Sequence, residues 1–317
     1  MTQLKDPYIL VFGMSICDIF GFTHKNYRTH DSNPGAVKMS YGGVCRNIAE
    51  NMARVGVNTK FISVLGDDER GKGLREHAQK QNFDMSDSLI VEGASTPTYV
   101  AILDENGEMV SAVVDISIAE LFTEEFVDSK ADLIKNAEYI ILDADNPKIT
   151  EYIAKNFSEY TNIILDPVSA AKAESVKHLL PYLHTLKPNR YEAEVLCGFK
   201  LDSEEAIREA GRYFVSEGVK KVFISLDSDG IYYYDGETEG TVRTINPKVV
   251  NVTGAGDAFV AGIGYGYMNK KTMKETVKFA NTMSILTIAH EETIAPQMDE
   301  EAVMHHKEQL VWVEKSY

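Results

Sequence analysis

The chain has 317 residues, of which 44% are apolar and 25% charged, and its formal net charge is −16. That length is ample for a buried core, and the composition is that of an ordinary globular protein. The negative charge argues against nucleic acid or an anionic membrane as partner, and no apolar run approaches the ~20 residues that cross a bilayer. Cys17, Cys45 and Cys197 are odd in number and scattered. They point to a reducing cytoplasm rather than to a disulfide frame or a zinc site.

The first strand-like run is 8–12, followed by Gly13-Met14-Ser15-Ile16-Cys17-Asp18. Residues 19–40, with Asn33-Pro34-Gly35, read as an irregular or stranded insertion. Tyr41-Gly42-Gly43 then leads into a helical pattern over 47–55, with Ile48, Met52 and Val55 as its apolar face. A strand over 59–65 and a helix over 73–80 come next. Two strand-like runs, 98–103 and 108–114, flank Asp104-Glu105-Asn106-Gly107, and Asn-Gly between such runs predicts a hairpin. Strands at 139–142, 162–165 and 221–225 then alternate with helices at 150–156, 193–197, 204–217 and 273–287. Short Ile/Val/Leu-rich runs alternating with helices predict a mainly parallel sheet covered on both faces. One domain over 1–317 is expected, with small-sheet insertions at about 19–40 and 96–114.

The chemistry concentrates at Thr253-Gly254-Ala255-Gly256-Asp257, which opens an apolar run over 258–268. Glycine permits close backbone approach, and the amides at the start of a helix form an anion site. Asp257 in the first turn supplies a carboxylate beside that site, the layout for phosphoryl transfer with a general base. Gly262, Gly264 and Gly266 lie inside the helix and read as packing positions. Asn189 and Glu192 have the spacing of a helix cap and its capping-box partner. There is no Gly-x-x-x-x-Gly-Lys-Ser/Thr loop, no protein-kinase hallmark and no strand-linked Gly-x-Gly-x-x-Gly.

The 251–262 segment, Tyr41 to Gly56, Val64 to Gly71 and Asn189-x-x-Glu192 together resemble the signatures of the PfkB (ribokinase-like) sugar and nucleoside kinases. The resemblance runs from the first strand to about Pro296. It implies a three-layer αβα sandwich with a small β-sheet lid over the phosphate acceptor. It assigns the base to Asp257 and the anion hole to the amides of Gly254, Ala255 and Gly256. Acceptor hydroxyls fall to Asp18, Gly42, Gly43 and Asn47. Nucleotide contacts fall to Lys172, Asn189, Ser225, Gly230 and Asn281, and organisation of Mg2+ beside ATP falls to Glu192.

Asp31 to Gly35, the Gly42-Gly43-Val44-x-Arg46-Asn47 form of the first motif, Asp166-Pro167-Val168-Ser169 with Lys172, and Leu186 to Glu194 resemble the branch of the family that phosphorylates pseudouridine at the ribose 5′-hydroxyl. For that nucleoside, Asn33, Thr96, Thr98 and Arg46 are the candidate readers of the base. Arg46, which has only donors, suits a uracil carbonyl, and its alternative reading is an ion pair. Other acceptors of the family (ribose, fructose, a purine nucleoside) stay open, as does a non-catalytic regulator on this scaffold. Two positions depart from the family. Asp227 stands where a phosphate-loop glycine is usual, and Asn251 stands where potassium-dependent members carry Asp, which weakens the expectation of a K+ site. The edge of the lid also offers a contact for a homodimer.

Overall fold

The computed structural model describes residues 6–317. Nine strands form the central sheet, in the spatial order Thr59–Ile62, Ile9–Phe12, Tyr139–Asp143, Asn162–Asp166, Thr185–Leu186, Lys221–Ser225, Ile231–Tyr234, Glu239–Thr244 and Trp312–Ser316. The first six run parallel, and the last three continue the sheet antiparallel. The expected mainly parallel α/β sheet is therefore present. Its antiparallel edge is absent from the sequence reading.

Alternation along the parallel strands sends side chains into two separate cores. Ile9, Val11, Ile141 and Ile164 pack on one face with helices Val44–Arg54, Ala255–Met268 and Met273–Ile288. Leu10, Phe12, Ile140, Leu142, Ile163 and Leu165 pack on the other, against helices Pro147–Phe157, Arg190–Cys197 and Glu204–Ser216. Strands buried on both faces are continuously apolar, which is why they were legible. The helix-interior glycines do serve packing. A Cβ at Gly262 would lie 2.3 Å from the Ala280 Cα, and one at Gly266 would lie 2.4 Å from the Thr276 hydroxyl.

The expected strand over 59–65 is two strands. Thr59–Ile62 belongs to the central sheet, while Val64–Gly66 pairs in parallel with Leu89–Val91. Ser63 makes the break: its hydroxyl accepts from Ser15 N–H, and its own N–H donates to the Ser88 hydroxyl.

A separate four-stranded sheet has the order Gly35–Gly42, Ile16–Thr23, Thr98–Leu103, Met109–Asp115. Ile16–Thr23 pairs antiparallel with Gly35–Gly42 and parallel with Thr98–Leu103. The Asn106-Gly107 hairpin closes as expected, with the Gly107 N–H on the Asp104 carbonyl. The first insertion starts a few residues earlier than the boundary read from sequence, at Ile16, while the second starts at Thr98, close to its expected position.

Candidate active site

Helix Ala255–Met268 starts at Gly254, whose φ of 83° is left-handed. A Cβ there would sit 2.2 Å from the Thr293 carbonyl oxygen, so only glycine fits. No side chain caps this helix, which leaves first-turn amides available to an anion. The Ala255 N–H turns back to the Val252 carbonyl at 3.3 Å, so the Gly256 side of the turn is the more open.

Asp257 follows in the first turn. Its Oδ2 accepts from Asn47 Nδ2 at 2.8 Å across 210 residues of sequence. The two motifs singled out in the sequence thus meet at this one hydrogen bond. Burial pushes Asp257 up to about 7; Asn47 and Lys187 pull against that shift, and Asp166 and Asp145 add to it. A carboxyl titrating there is poised to take a proton near neutral pH.

Lys187 received no role from the sequence, although it lies in the Leu186 to Glu194 segment, two residues before Asn189. It is buried, with Nζ 3.4 Å from Asp166 Oδ2, and a Cβ at Gly256 would lie 2.9 Å from it. Burial works against its charge, but Asp166, Glu192 and Asp257 outweigh that and hold the ammonium above the ordinary lysine value. The signal that could have found its surroundings is a repeat. Asp143 and Asp166 each close an Ile-Ile-Leu-Asp run and pair in register at the carboxyl ends of neighbouring parallel strands. Ligands of open α/β sheets bind at those ends. Asp143 is buried with one oxygen unpartnered; burial and the charges of Asp145 and Asp166 push it upward.

Asn189 and Glu192 form a complete capping box. The Glu192 carboxylate accepts from Asn189 N–H at 2.8 Å and from Asn189 Nδ2 at 2.7 Å. Burial raises Glu192, as does Asp166, while Lys187 opposes. Among the described residues no cluster of three or more His, Cys, Asp or Glu could hold a metal by itself. A lone buried carboxylate beside a phosphate site fits magnesium, which keeps waters and phosphate oxygens as most of its ligands.

Asp18 projects from Ile16–Thr23, and the Gly42 backbone presses against it: a Cβ at Gly42 would lie 2.2 Å from Asp18 Oδ2. Burial pushes Asp18 up to about 6, and Arg46 opposes. Asp18, Phe20 and, by its pairing with Asp18, Tyr99 lie on one face of the small sheet. The Phe20 and Tyr99 rings are 6.0 Å apart, edge to face. The sequence reading missed this aromatic pair, because a strand's partner, and hence its face-mates, cannot be read from one run.

The remaining candidates are more tied down than expected. Arg46 is buried and committed to Tyr41 O, Asn47 Oδ1, Glu50 and His77. Asn33 closes its own loop, accepting from Arg28 N–H at 2.8 Å and donating to Arg28 O at 2.9 Å. Thr98 accepts from Arg70 at 2.9 Å and donates to Thr96 O, while Thr96 donates to Asp68 at 2.6 Å. Lys172 is exposed and paired with Asp145 at 2.5 Å. Asn281 is buried on helix Met273–Ile288. Ser225 ends its strand, and Gly230 follows the turn Asp227–Asp229 with φ 91°. Asp227 has a φ of 51°, so Asp occupies a left-handed position that glycine would hold without strain. A cleft of about 360 Å3 between Arg190, Ile207, Leu226, Arg243 and Tyr317 contains none of the predicted site residues.

The model of the pfkB family of carbohydrate kinases matches residues 6–300. The chain belongs to that family. It is a phosphotransferase with an alcohol group as acceptor. Pseudouridine kinase of Escherichia coli (strain K12) is 34% identical over 93% of this kinase and 94% of its own length. The crystal structure of a Clostridium perfringens protein, provisionally described as a sugar kinase, is 56% identical with a TM-score of 0.97, covering 99% of both chains. Arabidopsis thaliana ribokinase, solved with ribose and ATP, is 23% identical with a TM-score of 0.80 over 95% of this kinase and 98% of its own chain. That likeness shows the ribokinase-like fold.

Proposed function

We propose that this kinase transfers the γ-phosphate of ATP to the ribose 5′-hydroxyl of pseudouridine. The observation that carries the chemistry is Asp257, joined to the first motif through Asn47 at the open start of a helix and facing Lys187. Ionised Asp257 takes the hydroxyl proton as the oxygen bonds to the γ-phosphorus. The bond to the β-phosphate oxygen breaks, and ADP leaves. First-turn amides and the Lys187 ammonium stabilise charge on the transferred group. Glu192 is the residue that would help hold Mg2+, which would supply further neutralisation of the phosphate oxygens. Asn251 offers no anionic ligand to a K+ ion, and its amide is already bonded to Glu291 O and Thr253 N–H.

The similarity to pseudouridine kinase, running almost end to end, supports the substrate. So does the aromatic face beside Asp18, which suits a nucleoside base better than a bare sugar. Asp18 can accept from two ribose hydroxyls at once. The small sheet is read as a lid, and the exposed Val37, Met39, Val100 and Val113, on its side away from Asp18 and Tyr99, as a face for a second copy. Slowed amide exchange over 99–114 on nucleoside binding and a scattering mass of two chains are the results on which these two statements depend. The three cysteines are unpaired, which fits a reducing cytoplasm. The deciding experiment compares phosphate transfer from ATP to pseudouridine, uridine, adenosine, ribose and fructose. Equal rates on uridine, or preference for a free sugar, would sink the substrate and leave the kinase.

A further inference from the structure

We propose that Arg46 is a positioning residue, which fixes the Asn47 amide so that its NH2 end faces Asp257. This rests on the reading of Asp257 as the base. Helix Val44–Arg54 places Arg46, Glu50 and Arg54 four residues apart on one face. Arg46 Nη1 donates to the Tyr41 carbonyl at 2.7 Å and to Asn47 Oδ1 at 3.0 Å. Its Nη2 pairs with Glu50 Oε2 and lies 2.9 Å from His77 Nε2. The other Glu50 oxygen accepts from Arg54 Nε and Nη2 at 2.9 and 2.6 Å, and His77 Nε2 lies 2.7 Å from Oε2. The Tyr41 ring packs 5.3 Å from the His77 ring. Although burial opposes its ionisation, these partners hold Glu50 down at about 2.

A buried ion cluster is weak evidence for stability, because apolar side chains of similar volume do as well. Its geometry points elsewhere. An asparagine amide has nearly the same shape when turned by half a rotation, so packing does not choose its orientation. The neighbours choose it. Arg46 has only donors, and ionised Asp257 has only acceptors. With Arg46 on the carbonyl, the NH2 must face Asp257. Without Arg46, the amide is free to present its oxygen to the carboxylate. The charges around Asp257 are Asp166, Asp145 and Lys187, and those around Arg46 are Glu50, Arg54, Asp18 and His77. Arg46 also opposes the upward push on Asp18. One guanidinium therefore serves both carboxylates of the site.

The test measures kcat, KM for ATP and the pH profile of kcat/KM for Arg46→Lys and for Arg46→Met combined with Glu50→Gln, alongside Asp257→Asn. The double substitution leaves no orphaned charge at Glu50, and Arg46→Lys carries the measurement if the double variant does not fold. The double variant is expected to lose roughly ten- to a hundredfold in kcat, the scale of one charge-assisted hydrogen bond. Its acid limb should move upward by roughly one pH unit, because the Asn47 hydrogen bond favours ionised Asp257. Arg46→Lys should show the same shift, reduced, and KM for ATP should hold. A folded variant whose acid limb stays at the wild-type pH overturns the proposal even if its rate falls, since a merely structural role does that. An active Asp257→Asn enzyme overturns this proposal and the base together, whereas an inactive one with unshifted Arg46 variants overturns this proposal alone.

Discussion

Asp257 and Asp18 are both carboxylates pushed up by burial, to about 7 and about 6, yet their surroundings differ. Asp257 stands on a helix whose next residues are continuously buried, and Asn47 and Lys187 approach it from two other elements of the core. Asp18 stands on a small sheet whose outer strand, Met109–Asp115, is exposed at every residue. A base needs a fixed position and a tuned proton affinity, which a packed core supplies. A substrate grip, the role proposed for Asp18, must admit and release its ligand, which suits a sheet with little burial of its own. Changes at the two carboxylates should therefore separate turnover from acceptor binding.

The largest effect belongs to Asp257→Asn, which keeps the shape and cannot take the proton. Its kcat should fall by ~10²–10⁴, the usual scale for a positioned base, with ATP binding little changed. Calorimetry with ATP and steady-state rates check both halves, and a near wild-type kcat would remove the assignment. Stability should move the other way. A carboxyl whose folded value is raised contributes stability below its unfolded value, and that contribution is lost as pH rises through about 7. Asp257→Asn should thus melt a few degrees higher than wild type at pH 8, by roughly ~2–4 °C per kcal/mol relieved, and the gap should shrink toward pH 4. The same ionisation makes wild-type kcat/KM fall as pH drops through about 7.

Lys187→Met comes next. Removing one preorganised charge from an anion site costs roughly ~10²–10³ in kcat. Because Lys187 also favours ionised Asp257, the acid limb should move upward in this variant. A loss confined to KM for pseudouridine would place Lys187 outside the phosphate site.

Asp18→Ala tests the other side of the comparison. Each charge-assisted hydrogen bond is worth roughly ~1.5–3 kcal/mol, so pseudouridine binding should weaken by about that much per hydroxyl released, and ATP binding should hold. Equal losses for both ligands by calorimetry would make Asp18 structural. Smaller still is Tyr99→Ala. An aromatic contact contributes ~0.5–1.5 kcal/mol, so nucleoside affinity should drop several-fold while ribose affinity stays. An equal drop for ribose would show that Tyr99 only holds the sheet.

The parallel core was legible because strands buried on both faces must be apolar throughout, as Tyr139–Asp143 and Asn162–Asp166 are. The glycine turn at Gly254 and the capping box at Asn189 were legible because each is local chemistry with fixed spacing. The break at Ser63 was not, since it depends on Ser15 and Ser88 arriving from elsewhere. Nor were the antiparallel strands Ile231–Tyr234 and Glu239–Thr244, whose runs lack the βα rhythm. Arg46 and Lys187 show the same limit within the site. Their residue types were visible, but their partners Glu50, His77 and Asp166 come from a helix face, a second helix and a strand end, and only the fold brings them together.

The smallest effect is expected at Asn33, and it bears on the exposed side of the comparison. Pseudouridine carries a ring N–H that uridine lacks, so an enzyme acceptor facing it would be left unpaired by uridine, which favours pseudouridine in kcat/KM. The Asn33 carbonyl oxygen already accepts from Arg28 N–H, and its NH2 donates to Arg28 O and Asp31 O. One lone pair of that oxygen remains for a ligand, but the side chain's main work is to shape its loop. Asn33→Ala should therefore narrow the pseudouridine-to-uridine ratio by about twofold or less, below the ~0.5–1.5 kcal/mol of a full hydrogen bond. Competition between the two nucleosides in one reaction reads this ratio directly. A collapse of the ratio to unity would make Asn33 the principal reader of the base. No change would place the acceptor for that N–H on another part of the small sheet.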